Sequence, residues 1–249
     1  VEIIIIFIFG LIIGSFLNVV IYRLPAGMSL IFPPSSCPSC GQRLKPQHLI
    51  PVISYLWQKG RCAYCGAKIP FRYPLVELTT AFIFCFIYLK FGLTILTLKY
   101  VLFAVFLIPL FFLDLENYLL PDKLTYPLIL VGIFINIITR DLSWKNLFFG
   151  VLTGFGVLFL LALVSRGGMG GGDIKLAAGM GAFLGFPFIL ETLFLAFFFG
   201  GLTGIILLVT KKKERKDLVP FGPFLIGAAF LTVFWGDEIL KWYLKTFFF

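Results

Sequence analysis

Long apolar runs constrain this chain more than any other feature. Eight can be placed, at about residues 3–22, 75–90, 96–113, 124–139, 146–164, 174–186, 188–209 and 221–241. Runs of this kind match the roughly 20 residues a helix needs to cross hydrocarbon about 30 Å thick. Lipid admits only helices and closed barrels, and barrel strands alternate in polarity instead of running continuously apolar. The chain is therefore expected to be an all-α polytopic membrane protein of about eight transmembrane helices. The second, fourth and sixth runs are short, and Gly185-Phe186-Pro187 leaves hardly a turn between the sixth and seventh.

Composition supports this class. Hydrophobic residues make up 60% of the 249, and charged residues only 13%, against about 25% in soluble domains. A net charge of +9 would suit nucleic acid, but the basic residues gather between apolar runs and form no polar helical face. No nucleic-acid partner is expected. The first run has no basic segment before it and no small-residue cleavage site after it, so it is expected to be a transmembrane helix and not a signal peptide.

Lysine and arginine give the orientation. Loops 23–74, 114–123, 165–175 and 211–220 fall on one side of this threading and hold 15 of the 21 basic residues. Those loops are expected in the cytoplasm, with both termini outside. Small residues recur every four positions at Ala177, Gly181 and Gly185, at Gly150 and Gly154, and at Gly200 and Gly204. Such spacing lets helix backbones approach closely in lipid.

The first loop holds Cys37-Pro38-Ser39-Cys40 and Cys62-Ala63-Tyr64-Cys65, with 21 residues between the pairs. Two C-x2-C knuckles, each followed by a glycine (Gly41, Gly66), read as a structural zinc site with Cys37, Cys40, Cys62 and Cys65 as ligands. Disulfides or free thiols are the alternatives, and a cytoplasmic loop argues against disulfides. Four thiolates leave no open position for catalysis. Cys85 reads as a buried small side chain and His48 as a surface residue.

Two acids stand at the ends of apolar runs. Asp114 closes Phe111-Phe112-Leu113, and Asp173 follows Gly167-Gly168-Met169-Gly170-Gly171-Gly172. Ionisable groups at membrane depth cost about 2.5 to 3.5 kcal/mol even on lenient scales, so they usually mark function. Two carboxylates sharing one proton hydrolyse peptides, one activating water while the other polarises the carbonyl. The pair lies 59 positions apart in sequence and would have to converge. The glycine loop, with Gly170 and Gly172, would give flexibility and room for a substrate backbone. Asp122 reads as an N-cap of the following helix, and Glu116 as a solvated loop acid. A transporter using the aspartates as proton relays is the alternative, but the further mid-membrane polar residues and inverted repeats it requires are not visible. A non-enzymatic assembly scaffold docking a partner through the zinc loop is a third.

Gly170-Gly171-Gly172-Asp173 resembles the GxGD motif of membrane aspartyl proteases. Asp114 followed by Leu119-Leu120-Pro121-Asp122-Lys123-Leu124-Thr125 is similar to the first catalytic segment of type IV prepilin peptidases. Gly14-Ser15-Phe16-Leu17-Asn18-Val19-Val20-Ile21-Tyr22-Arg23-Leu24-Pro25, the two knuckles, and Arg72-Tyr73-Pro74-Leu75-Val76-Glu77-Leu78 also resemble that family, in the same order over nearly the whole chain. The resemblance implies a bifunctional enzyme of the bacterial inner membrane. It would cleave the basic leader of prepilins or pseudopilins with Asp114 and Asp173, then methylate the new N-terminus with S-adenosylmethionine. It further implies a first helix (1–22), a zinc-binding loop associated with methyl transfer (23–74) and a protease domain (75–249). Glu77 is the candidate to deprotonate or orient the amine, with a salt bridge to Arg72 as its alternative role. The basic stretch Lys211-Lys212-Lys213-Glu214-Arg215-Lys216 would repel a basic leader, so it is assigned to anionic lipid headgroups.

Overall fold

The structure, a computed structural model, describes residues 1–165, 168–211 and 219–247, with the backbone alone at Phe247. Arg166, Gly167 and the basic stretch Lys212-Lys213-Glu214-Arg215-Lys216 lie outside the described residues. Among the described residues the architecture is helical: α1 (Glu2–Arg23), α2 (Ile53–Trp57), α3 (Arg72–Phe91), α4 (Ile95–Asn117), α5 (Asp122–Thr139), α6 (Trp144–Val164), α7 (Gly171–Leu184), α8 (Phe188–Val209) and α9 (Gly222–Phe247). Seven of these, all but α2 and α7, are long and apolar enough to cross a membrane. Large side chains such as Phe82, Phe134, Phe148 and Phe194 face outward, as lipid in place of water allows.

The chain forms two compact units, Val1–Pro109 and Leu110–Phe249. In the first, α1 packs antiparallel on α3 through glycines. A Cβ on Gly10 would lie 2.5 Å from Ala81 Cα, and one on Gly14 would lie 2.6 Å from Glu77 Cα. Asn18, one turn on, donates from Nδ2 to the Tyr73 carbonyl at 3.0 Å. Cys85 is buried in α3, as its apolar surroundings in the sequence imply.

In the second unit α7 is the hub. It has 14 residues, about 21 Å at the usual helical rise, too short to span hydrocarbon alone. Ten of its residues are buried, so neighbouring helices and not lipid set its length. It runs antiparallel to α6: a Cβ on Gly150 would lie 2.5 Å from the Gly181 carbonyl oxygen, and one on Gly154 would lie 2.2 Å from that of Ala177. It runs parallel to α5, where a Cβ on Gly179 would meet Leu128 and one on Gly132 would meet Ala182 and Phe183. Asn136 binds the carbonyl oxygens of both Gly132 and Ala182, pinning this pair. The small residues of α6 and α7 thus do what their spacing implies. Gly200 and Gly204 do not: Gly200 makes only ordinary contacts with Phe221 and Phe224, and Gly204 has nothing within 4 Å. The antiparallel α8 and α9 are joined instead by a buried hydrogen bond from Thr192 to Thr232, 3.0 Å long, and by the stacked rings of Phe197 and Phe221.

Candidate active site and metal centre

The parallel register of α5 and α7 brings the two acidic segments together. Asp114 lies one turn before the end of α4, and the chain re-enters at Pro121 to start α5. Leu120, just before that start, packs on Gly172, where a Cβ would lie 2.7 Å from Leu120 Cβ. Asp173 is the next residue. Its carboxylate is close enough to Asp114 for their charges to interact.

Each carboxylate is held differently. Asp114 is 6% exposed, and its Oδ2 accepts the backbone N–H of Gly222 at 2.9 Å. Asp173 Oδ1 is buried without a hydrogen-bond partner among the described residues. Buried polar atoms are nearly always partnered, so an unpartnered carboxylate oxygen beside a second acid makes Asp173 a candidate functional group. A cleft of about 260 Å³ near the end of α4 is lined by Leu115, Tyr118, Leu207, Val219, Pro220, Pro223 and Phe224.

Two expectations need correction. The glycine run is not simply a flexible loop: Gly170 caps α7, and Gly171 and Gly172 are its first two residues. Gly172 is needed for closeness to Leu120, while a Cβ on Gly170 would crowd Asp173 Oδ2 at 3.2 Å. Asp122 is not an N-cap either. It is the first residue of α5, Pro121 occupies the cap, and no side chain caps the helix. Its carboxylate pairs with Lys175, one turn into α7, and Lys175 also lies over the Tyr126 ring. The pair ties the starts of the two helices together near Asp173.

The sequence reading also missed Gly222. Pro220-Phe221-Gly222-Pro223 signals a helix start, but nothing local tells that its N–H would meet an acid 108 positions away.

In the first unit the four cysteines converge. Their sulfurs all lie within 4.8 Å of one another, and Cys37 and Cys65 are 3.9 Å apart. Tetrahedral zinc with Zn–S bonds of about 2.3 Å would separate its sulfurs by about 3.8 Å, so the cluster fits. The two knuckles have the same backbone design. Gly41 and Gly66, at φ 70° and 72°, donate to the carbonyls of Cys37 and Cys62 at 2.8 and 2.9 Å. The N–H groups of Cys37 and Cys62 in turn bind the carbonyls of Gln42 and Ala67 at 3.0 and 2.8 Å. The N–H of Cys40 leads in holding the Cys37 thiol down at about 6. Cys65 is pushed up to about 11: the N–H of Ala67 favours its thiolate, but burial and the sulfurs of Cys40, Cys62 and Cys37 outweigh it. Four thiols this close cannot all ionise without a cation among them. All four are free thiols.

Glu77, in the second turn of α3, is 6% exposed. Its Oε2 accepts the Val52 N–H at 2.7 Å, and the Ser15 hydroxyl also binds it. Val52 itself has φ 60°, a costly backbone for a β-branched residue that presents this N–H. His48 is half-buried and meets the Tyr64 ring edge-on at 5.3 Å, so it is not merely a surface residue.

Helices long and apolar enough to cross a membrane, two interacting carboxyls at helix ends and a four-thiol cluster able to hold a metal ion define a polytopic membrane protein with the groups of an aspartyl hydrolase. Residues 8–91 match the Bacterial Peptidase A24 N-terminal domain and residues 101–205 the Type IV leader peptidase family. The chain is 36% identical to the Prepilin leader peptidase/N-methyltransferase of Aeromonas hydrophila over 271 residues, covering 97% of this chain and 93% of that protein. It is 36% identical to the protein of that name from Bacillus subtilis (strain 168) over 241 residues, covering 97% of each. It is 35% identical to that of Pseudomonas aeruginosa over 264 residues, covering 95% and 91%. No solved structure matches the chain. The chain belongs to the type IV leader peptidase family. That membership sets aside the transporter reading.

Proposed function

We propose that this protein removes the leader of type IV prepilins or pseudopilins at the cytoplasmic face of the bacterial inner membrane, then methylates the amine it has exposed. The names of its relatives pair these two activities. The observation that supports the first is that Asp114 and Asp173 lie near enough for their charges to interact, with one Asp173 oxygen unpartnered among the described residues. One carboxylate takes a proton from water as its oxygen attacks the scissile carbonyl. The other, protonated, polarises that carbonyl and later protonates the leaving amine as the C–N bond breaks. The Gly222 N–H keeps Asp114 oriented, and Gly170 and Gly172 allow Asp173 close to its neighbours. The apolar cleft near the end of α4 suits the apolar residues that follow a cleaved leader.

The 23–74 loop, with Glu77 of α3 beside it, serves methyl transfer, and the domain that begins at residue 75 carries the two aspartates of proteolysis. Cys37, Cys40, Cys62 and Cys65 hold zinc, which fixes the fold of a loop too short to build its own core. S-adenosylmethionine supplies the methyl group, and Glu77 accepts the proton of the incoming ammonium or orients it. The weight of Lys and Arg in the loops supports a cytoplasmic side for them with both termini outside, and the basic stretch that follows Thr210 is assigned to anionic lipid headgroups. The chain has no role with nucleic acid.

Asp114→Asn and Asp173→Asn test this reading. Each variant should insert into membranes yet leave the client's leader in place, as mass spectrometry of the client N-terminus would report. Full cleavage by either variant overturns the dyad.

A further inference from the structure

A cavity of about 540 Å³ lies within the first unit, between α1, α3 and the cysteine loop. That volume is in the range of sites for one drug-sized ligand. Asn18, Tyr22, Arg23, Tyr55, Tyr73 and Glu77 are among its lining residues. Three of these, Asn18, Arg23 and Glu77, are buried polar or charged groups, and each has a distinct chemical sense.

Asn18 is 1% exposed. Its Nδ2 donates to the carbonyls of Tyr73 at 3.0 Å and Gly14 at 3.4 Å. Two carbonyl acceptors fix which end of the amide is nitrogen, because the oxygen would be repelled there. The Oδ1 atom therefore faces the other way, and it has no partner among the described residues. Such an orphaned buried acceptor is costly unless a donor arrives. Arg23 spends two N–H groups on the carbonyls of Ser29 and Pro33, and a guanidinium has five. Glu77 supplies a carboxylate, steadied by Val52 and Ser15. Tyr22, Tyr55 and Tyr73 add aromatic surface.

The geometry points to this cavity as the binding site of the methyl donor, S-adenosylmethionine, with Asn18 Oδ1 and Glu77 meeting its amino and sulfonium charges and Arg23 its carboxylate. The assignment rests on the methyltransferase half of the proposed function. The ligand it calls for carries a carboxylate, a positive centre, hydrogen-bond donors and a flat ring together. A peptide N-terminus brings a single cation and no anion to match Arg23. An anionic headgroup would be repelled by Glu77 and would leave Asn18 Oδ1 unpaired.

Calorimetric titration of the purified full chain with S-adenosylmethionine, and separately with S-adenosylhomocysteine, tests the site. The wild type should bind both, and the charged sulfonium more tightly than the neutral thioether. Asn18→Leu should weaken binding about tenfold or more, the loss expected for one buried polar partner. Asn18→Leu also cuts the hydrogen bond from α1 to the Tyr73 carbonyl of α3 and one to Gly14 within α1, so thermal unfolding is measured alongside. Val19→Phe, which fills the same cavity without removing a hydrogen bond, provides the decision if Asn18→Leu fails to fold. Unchanged binding in a folded Asn18→Leu or in Val19→Phe overturns the site. A wild type that cleaves leaders but does not bind the donor overturns it too, leaving the protease reading intact. A wild type that does neither overturns both.

Discussion

The backbone N–H of Gly222 reaches Asp114 Oδ2 at 2.9 Å, and a Cβ at Gly222 would lie 2.6 Å from the same oxygen, so any side chain there would push the Asp114 carboxylate out of place. A turn at the start of α9 thereby sets the position of an acid near the end of α4. The contact is buried, so water cannot substitute for it.

Gly222→Ala should therefore lower the rate of leader cleavage by about tenfold to a hundredfold, the scale on which small misplacements of catalytic groups act. Membrane insertion and zinc content should be those of the wild type, since the cysteine loop belongs to the other compact unit. A single-turnover assay at saturating client makes the comparison. A wild-type rate would remove Gly222 from the account.

Gly154→Leu and Gly181→Leu should destabilise the second unit by about 1 to 3 kcal/mol, the usual cost of overpacking. A Cβ at either position would fall within 2.2 Å of a backbone carbonyl oxygen on the facing helix. Leader cleavage should fall with stability, because α7 carries Asp173. Gly204→Leu, with open space around it, serves as control and should leave thermal unfolding unchanged.

Purified protein should carry about one zinc per chain, and Cys62→Ser should lose it, as element analysis would report. Protease sensitivity should then appear within residues 23–74, since a zinc site folds the segment that binds it. Full zinc content in Cys62→Ser would mean that the metal sits elsewhere.

Lys175→Met should cost less than about 1 kcal/mol of stability. Its partner Asp122 is 56% exposed, and exposed ion pairs contribute little. A large loss in a thermal melt would show that the pair does more than align α5 with α7.

Glu77→Gln should let cleaved but unmethylated client accumulate, visible as a mass 14 Da below the methylated product, roughly one CH₂. Loss of both activities together would point to collapse of the α1–α3 contact at Gly14 instead.

The order of helices and the clustering of the four cysteines were legible in the sequence, and the two acids stood out in it. Apolar runs, knuckle spacing and charges at the ends of apolar runs are local signals, set by what lipid and thiolate chemistry demand of neighbouring residues. The role of Asp122 was misread because an acid before an apolar run looks the same whether it caps its own helix or pairs with Lys175 on another. Gly204 was misread because small-residue spacing permits close packing without choosing the partner. Asn18 stood in the sequence only as part of the Gly14–Pro25 stretch; only the facing Tyr73 carbonyl fixes which of its amide atoms is left without a partner among the described residues. That Asp114 and Asp173 would have to meet follows from their chemistry, but how they meet, and that Gly222 joins them, was not legible. Their convergence depends on α5 and α7 running side by side in the same direction, and that register is set by Leu120 on Gly172 and Leu128 on Gly179, contacts between residues about 50 positions apart. Sequence by itself determined the chemistry available to this protein, and tertiary packing decided which of those groups meet.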